Sequence, residues 1–215
     1  MLYLDHVIWT GQDIAGISAK YGADFAVKSV KGGEHEDWGT FNYLTFFSNS
    51  CYMEWLGVRD AEKAEQLDHP LIQHLMYTLK NKQNGPFQFA LRTDRIDDYI
   101  SHFTAKDIPF RGPFHGHRTQ PNGNTLSWKM LFPTYDFTKG ETLPFLIEWD
   151  QPESERVEVS LINNQAVTNL HFGGITRERF QEIYNLTPRK VLNPKVLRNV
   201  KVTFHEEQHL SIDIA

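Results

Sequence analysis

One cysteine, no basic surplus and no long apolar run say first what this chain of 215 residues is not. The lone Cys51 can close no internal disulfide and build no cysteine metal site, which fits a reducing compartment. A net charge of −5 leaves no electrostatic footprint for nucleic acid. No apolar run approaches the roughly 20 residues of a membrane span. The N-terminal MLYLDHVIW lacks a basic n-region and carries Asp5 and His6, so it does not read as a signal peptide. The GxSxG elbow, the phosphate-binding P-loop and the GxGxxG fingerprint are all missing, which argues against a serine hydrolase of that kind and against nucleotide or dinucleotide folds. A soluble cytoplasmic protein is expected, with no organic cofactor and no nucleic-acid or membrane partner.

What is present is ordinary globular material: 40% apolar, 13% aromatic and 23% charged residues, enough for a sizeable core. The punctuation suggests a repeat. LYLDHVIWT (2–10) reads as a strand. Gly11 to Tyr21 reads as a helix with Ile14, Ile17 and Tyr21 on one face. Gly32 and Gly33 mark a turn, and FNYLTFF (41–47) and CYMEWLGV (51–58) read as strands. The order then returns: strand FQFALRT (87–93), a helix from Asp94 to Lys106 with Asp94 as N-cap, and a closing strand PFLIEW (144–149). An offset of 82 lays His6 on Gln88, Ile14 on Ile96 and Tyr21 on Phe103. Glu54 reaches Glu148 at an offset of 94, and the extra 12 residues are assigned to the loop-like stretch Pro133–Pro144. The expected organisation is a first module over 1–58, a connecting helix within 59–86 carrying Leu71, Leu75 and Leu79 and ended by Asn84-Gly85-Pro86, and a second module over 87–150. A partial third module follows over 157–215, with strands at VEVSLI, TNLHFGG, 200–205 and 210–214 and a helix over Arg177–Tyr184.

Four polar residues stand inside apolar strands: His6, Glu54, Gln88 and Glu148. Side chains alternate along a strand, so each shares a face with apolar neighbours. A carboxylate on a core-facing surface is costly unless it is paired or bound to a cation. A strand glutamate can equally face water, yet two carboxylates, an imidazole and an amide at repeat-equivalent positions suggest one shared site. One nitrogen and three oxygens suit a divalent Zn, Ni, Co, Mn or Fe(II).

The pattern LDHVIW, helix, YMEW, repeated as FQFAL and FLIEW, resembles the vicinal oxygen chelate superfamily. Three segments, GGEHEDWGTFNYL (32–44), RTQPNGNTLSW (118–128) and LPFLIEWD (143–150), more narrowly resemble its glyoxalase-like domain family. The resemblance implies an α+β fold, the glyoxalase/bleomycin resistance/dioxygenase fold. Paired βαβββ modules would curve into a half-open barrel, with a partial third module beside them. It also implies a divalent metal held by His6 and Glu54 from the first module and Gln88 and Glu148 from the second, as in members of the glyoxalase I type. Aligning Thr10 with Thr176 places Phe172 at the first ligand position of the third module, and its closing strand SIDIA has no glutamate. That copy is expected to carry no site and to pack on the paired modules or on a second subunit, as in a homodimer.

Further candidates lie around this focus. His35 and Asn42 fall in the Gly-rich segment and are expected to touch substrate. Arg118 could grip a carboxylate through two nitrogens, and Trp128 could line the interior beside Trp149. His115 and His117 form an H-x-H pair without nearby acids. The leading expectation is a metal-dependent lyase or isomerase acting on a small carbonyl or hydroxy compound. In it a metal polarises the oxygen, and Glu54 or Glu148 moves a proton α to the carbonyl. The alternative is a metal-free protein that sequesters a small molecule, as drug-resistance relatives of the superfamily do. Extradiol-type dioxygenase chemistry is a poorer match, since it wants two histidines and a carboxylate.

Overall fold

The structure, a computed structural model, describes residues 2–119, 123–186 and 196–215. Two copies of the same strand–helix–three-strand plan form one eight-stranded sheet. The first copy runs β1 (Tyr3–Thr10), α1 (Ile14–Phe25), β2 (Val30–His35), β3 (Thr40–Phe46) and β4 (Tyr52–Val58). Two short helices, α2 (Ala61–Gln66) and α3 (Pro70–Lys80), connect it to the second copy. That copy runs β5 (Gly85–Arg92), α4 (Ile96–Ala105), β6 (Phe110–Thr119), β7 (Thr125–Pro133) and β8 (Phe145–Trp149). The strand order β2-β3-β4-β1-β5-β8-β7-β6 puts the copies back to back, with β1 antiparallel to β5 at the seam. The sheet curls until its outer strands β2 and β6 come back into contact, giving the expected curved α+β half-barrel.

The two faces of this sheet are filled differently. On the convex face Val7, Met53, Trp55, Phe89, Leu91 and Leu146 join residues of α1 and α4 in the larger core. On the concave face Ile8, Leu56, Ala90, Met130, Phe132 and Ile147 meet Leu71, Ile72 and Leu75 of α3. The four-residue spacing of Leu71, Leu75 and Leu79 thus closes the inside of the curve.

The remaining chain covers the convex face. After α5 (Glu153–Arg156) come β9 (Val167–Gly173), α6 (Arg177–Ile183), β10 (Lys201–His205) and β11 (Leu210–Ile214). They make a three-stranded sheet of order β10-β9-β11. Phe172 meets Phe89 edge-on at 4.9 Å, and the Tyr184 hydroxyl donates to the Pro144 carbonyl at 2.6 Å. The third unit therefore packs on the paired modules of its own chain. Asn199 stitches it to the N-terminus: its Oδ1 accepts from Leu4 N–H, and its Nδ2 donates to the Leu4 and Asn49 carbonyls.

Several boundaries differ from the sequence expectation. VEVSLI forms no strand; a short 3-10 turn occupies Val159–Leu161, and Val159 and Ile162 are exposed. Gly32 and Gly33 lie inside β2 rather than at a turn. A side chain at Gly32 would collide with Asn42 and Leu44 of β3, so the strand needs glycine there. Gly85 and Pro86 open β5 opposite Thr10 and Trp9 of β1, the proline standing at the strand's start, where its missing N–H is tolerated. Helix α4 begins at Ile96, and Asp94 does not cap it. Of the expected turn Pro121-Asn122-Gly123, Pro121 and Asn122 lie outside the described residues.

Candidate functional site

The concave face holds a small, partly open cavity. Its polar lining is His6 from β1, His35 from β2, Asn42 from β3, Tyr52 and Glu54 from β4, and Arg118 from β6. Trp128, Met130, Phe145, Ile147 and Trp149 form the opposing apolar wall, with Trp38 and Leu71 at its margin. Gly116 of β6 makes room for Trp128, whose indole lies where a Cβ would stand.

His6 is the centre of the polar side. Its Nδ1 lies 2.7 Å from Asp5 Oδ1, and its Nε2 lies 3.5 Å from Glu54 Oε2. A carboxylate can only accept, so Asp5 fixes the proton on Nδ1 and leaves Nε2 to face Glu54. Tyr52 stacks on the imidazole at 4.6 Å. Glu54 is held from its other oxygen, where Asn42 Nδ2 donates at 2.6 Å. Burial pushes the Asp5 carboxyl up, but the His6 hydrogen bond and the charges of His6, Arg92 and Arg156 outweigh it and hold the group below its usual value. Burial above all pushes Tyr52 well above its ordinary range, with Asp5 and Glu54 adding to it.

His35 accompanies this pair without belonging to it. Its Nδ1 meets the Thr40 hydroxyl at 2.9 Å. Burial pulls its pKa down to about 4, Glu54 opposing and Arg118 assisting. It is therefore neutral at pH 7. Arg118 is 8% exposed, its buried Nε has no hydrogen-bond partner, and no carboxylate lies within ion-pair distance of it among the described residues. A guanidinium cannot discard its proton, so a buried one without a counter-ion is a standing site for an anion. Asn42 Oδ1 is also buried without a partner.

The four residues expected to share a focus do not converge. His6 and Glu54 face each other. Gln88 holds the register position expected of it, since it lies opposite Ile8 as Ala90 lies opposite His6. Its amide, however, donates to the Tyr135 hydroxyl at 2.6 Å and the Leu143 carbonyl at 3.1 Å, which uses both its N–H groups, and accepts from Phe89 N–H. Glu148 is turned to the other face. In the first module Ile8 lies opposite Glu54, and in the second Ala90 lies opposite Phe145. The register counterpart of Glu54 is thus Phe145. Glu148 instead accepts from Ile96 N–H at 2.7 Å, capping the N-terminus of α4 in place of Asp94. Among the described residues no three His, Cys, Asp or Glu side chains are placed to hold a metal ion. The donor set does not fit the four-ligand centre that the resemblance implied.

Other candidates separate cleanly. His35, Asn42, Arg118 and Trp128 all line the cavity. His115 and His117 point outward from β6 and are exposed. Cys51 is buried and its thiol is pushed up to about 12 by burial, so it is no nucleophile. Sequence reasoning missed Asp5 and Tyr52. Asp5 carried the same signal as Glu54, a carboxylate inside an apolar strand.

The profile of the family described as "Glyoxalase-like domain" matches residues 4–186. No curated protein matches the chain. Among solved structures, a hypothetical protein from Staphylococcus aureus is similar over 100% of this chain and 91% of its own, at 18% identity and a TM-score of 0.79. A variant of Streptomyces coelicolor methylmalonyl-CoA epimerase, solved in complex with 2-nitronate-propionyl-CoA, is similar over 72% of this chain and 99% of its own, at 16% identity and a TM-score of 0.52. At such identities the likeness is one of fold. Among the described residues no helix is long and apolar enough to cross a membrane.

Proposed function

The chain belongs to the glyoxalase-like domain family, and on that premise we propose that it is a small-molecule lyase or isomerase that moves a proton at the carbon next to a carbonyl on an anionic substrate. The observation that carries this reading is the pairing, in one cavity, of a held His–Glu couple with a buried arginine that meets no counter-ion among the described residues. Arg118 takes the substrate's carboxylate or developing enolate. Glu54 Oε2 accepts the proton from the α carbon. The C–H electron pair moves onto the carbonyl oxygen, and the resulting enolate is neutralised by Arg118. His6 Nε2 exchanges the proton with Glu54, and its return to carbon completes the turnover. The wall of Trp128, Phe145 and Ile147 excludes water from the enolate. No step runs through a metal, because only His6 and Glu54 of the four expected ligands face one another.

The test is exchange of substrate hydrogen with solvent. Incubation of the protein with 2-oxobutyrate or 2-oxoglutarate in D2O should exchange the hydrogens beside the carbonyl faster than buffer does, followed by proton NMR. Glu54→Gln should slow this by about 10²–10⁴-fold, and a chelator should leave it unchanged. Binding of the probes without exchange supports the second reading, a sequestering protein, for which the same arginine and aromatic wall suffice. Absence of both overturns the two readings together.

A further inference from the structure

His35 reaches the cavity through an irregularity of β2. Lys31 pairs with Tyr43 of β3, but the next residue in register, opposite Asn42, is Gly33 and not Gly32, and the ladder then runs on to His35 opposite Thr40. Gly32 is thus the extra residue of a β-bulge, a device that re-aims the side chains beyond it. In a regular strand Gly32 and His35, three residues apart, would face opposite ways. Here both are buried, Gly32 against Asn42 and His35 against Thr40, side chains of one face of β3. Thr40 then sets the tautomer of the ring. It is 1% exposed, and its hydroxyl has one hydrogen-bond partner among the described residues, His35 Nδ1 at 2.9 Å. If that hydroxyl accepted from an Nδ1–H, its own proton would be buried without an acceptor, at the full desolvation cost of the group. The Thr40 hydroxyl therefore donates to Nδ1, and the one proton of the neutral imidazole stands on Nε2. Nε2 bonds to no described residue, and the ring lines the cavity with Glu54 and Arg118.

We propose that His35 is a further catalytic residue of the proton transfer: its Nε2–H donates to the substrate's carbonyl oxygen and holds the charge that develops there. The inference rests on the proton-transfer reading of the cavity. As Glu54 Oε2 takes the α proton, the C–H electron pair becomes the new C=C bond and the carbonyl π pair moves onto oxygen. His35 keeps its proton throughout, so only a hydrogen bond shortens. Arg118 is then free to hold the carboxylate with two of its nitrogens. A neutral imidazole can polarise a carbonyl in this way, and a donor fixed before the reaction needs no reorganisation when the charge appears.

The tautomer is tested on the wild-type protein, with no variant needed. Proton–nitrogen NMR correlation of isotope-labelled protein at pH 7 should show His35 protonated on Nε2 and bare on Nδ1; a proton on Nδ1 overturns the proposal. In the exchange of 2-oxobutyrate hydrogens in D2O, His35→Leu should lower kcat by about 10²–10³-fold, as loss of one oxyanion donor does. KM should change little, since the bond strengthens only as the charge develops. His35→Gln, whose amide N–H can serve the same oxygen, should recover most of the lost rate. Exchange as fast in His35→Leu as in the wild type overturns the proposal. So does an equal loss in His35→Leu and His35→Gln, which would mark the ring as structural. Absence of exchange in the wild type removes the proton-transfer reading and the role of His35 with it, whereas exchange indifferent to His35 removes this assignment alone.

Discussion

The two halves of the large sheet share a plan and divide the labour. In the first module the cavity face carries His6, Asn42, Tyr52 and Glu54, braced by Asp5 from behind. In the second it carries Trp128, Met130, Phe145, Ile147 and Trp149, with Arg118 as the charged exception. Where the first module places a carboxylate, the second places Phe145, whose ring meets His6 edge-on at 5.8 Å. Where the first exposes an imidazole, the second has Gln88 tied to Tyr135. Duplication thus supplies symmetric frames, and the side chains make one a proton-handling surface and the other a dry wall.

Removing that asymmetry should have the largest effect. Phe145→Glu restores the register counterpart of Glu54 and buries a second carboxylate beside it. In metal-free buffer it should destabilise the protein by roughly 3–5 kcal/mol, the cost of an uncompensated buried charge, and an added divalent metal should recover part of the lost melting temperature. Asp5→Asn attacks the first module from behind, leaving Arg92 and Arg156 without their shared carboxylate; a loss of about 3–5 kcal/mol in denaturant unfolding is expected. The histidines sharpen the comparison by pH. Burial pulls His35, His69 and His74 each down to about 4, below the roughly 6.5 of an unfolded histidine. Between those values the unfolded chain binds the extra protons. Stability is therefore full above about pH 6.5 and lost as pH falls toward 4, by up to about 3 kcal/mol per histidine. His35→Asn should flatten the slope in a melting-temperature series. The smallest effect belongs to Glu148. Glu148→Gln should cost about 1 kcal/mol through the weakened cap of α4 and leave the affinity for 2-oxobutyrate as it was. A substantial loss of affinity would return Glu148 to the site.

The pattern of elements was legible because it is local. Runs rich in β-branched and aromatic residues, bounded by turn residues, marked β1 and β4, the four-residue leucine spacing marked α3, and matched order marked the duplication. The first-module half of the site was legible for the same reason: a charged residue in an apolar strand has to be explained. The second half was not, because FLIEW is covered on both sides by packed side chains. Phe145 and Ile147 are as buried as Leu146, so composition carries no sign of which face is which, and a slip of one residue reverses them. The insertion assigned wholly to Pro133–Pro144 concealed that slip. VEVSLI failed differently: its alternation is real, but only Ile162 at its end meets a strand, through a single bridge to Phe46 of β3.

The Asn199 clamp has a consequence in time. Leu4 lies at a break in the pairing of β1 with β5, and its amide and carbonyl are completed by a side chain 195 residues downstream. At synthesis rates of about 5–20 residues per second, the first strand is made roughly 10–40 seconds before the residue that finishes it. Contacts of such separation come late in folding. The centre of the large sheet, and the His6 one turn of the pleat away, are therefore made well before the residue that secures them.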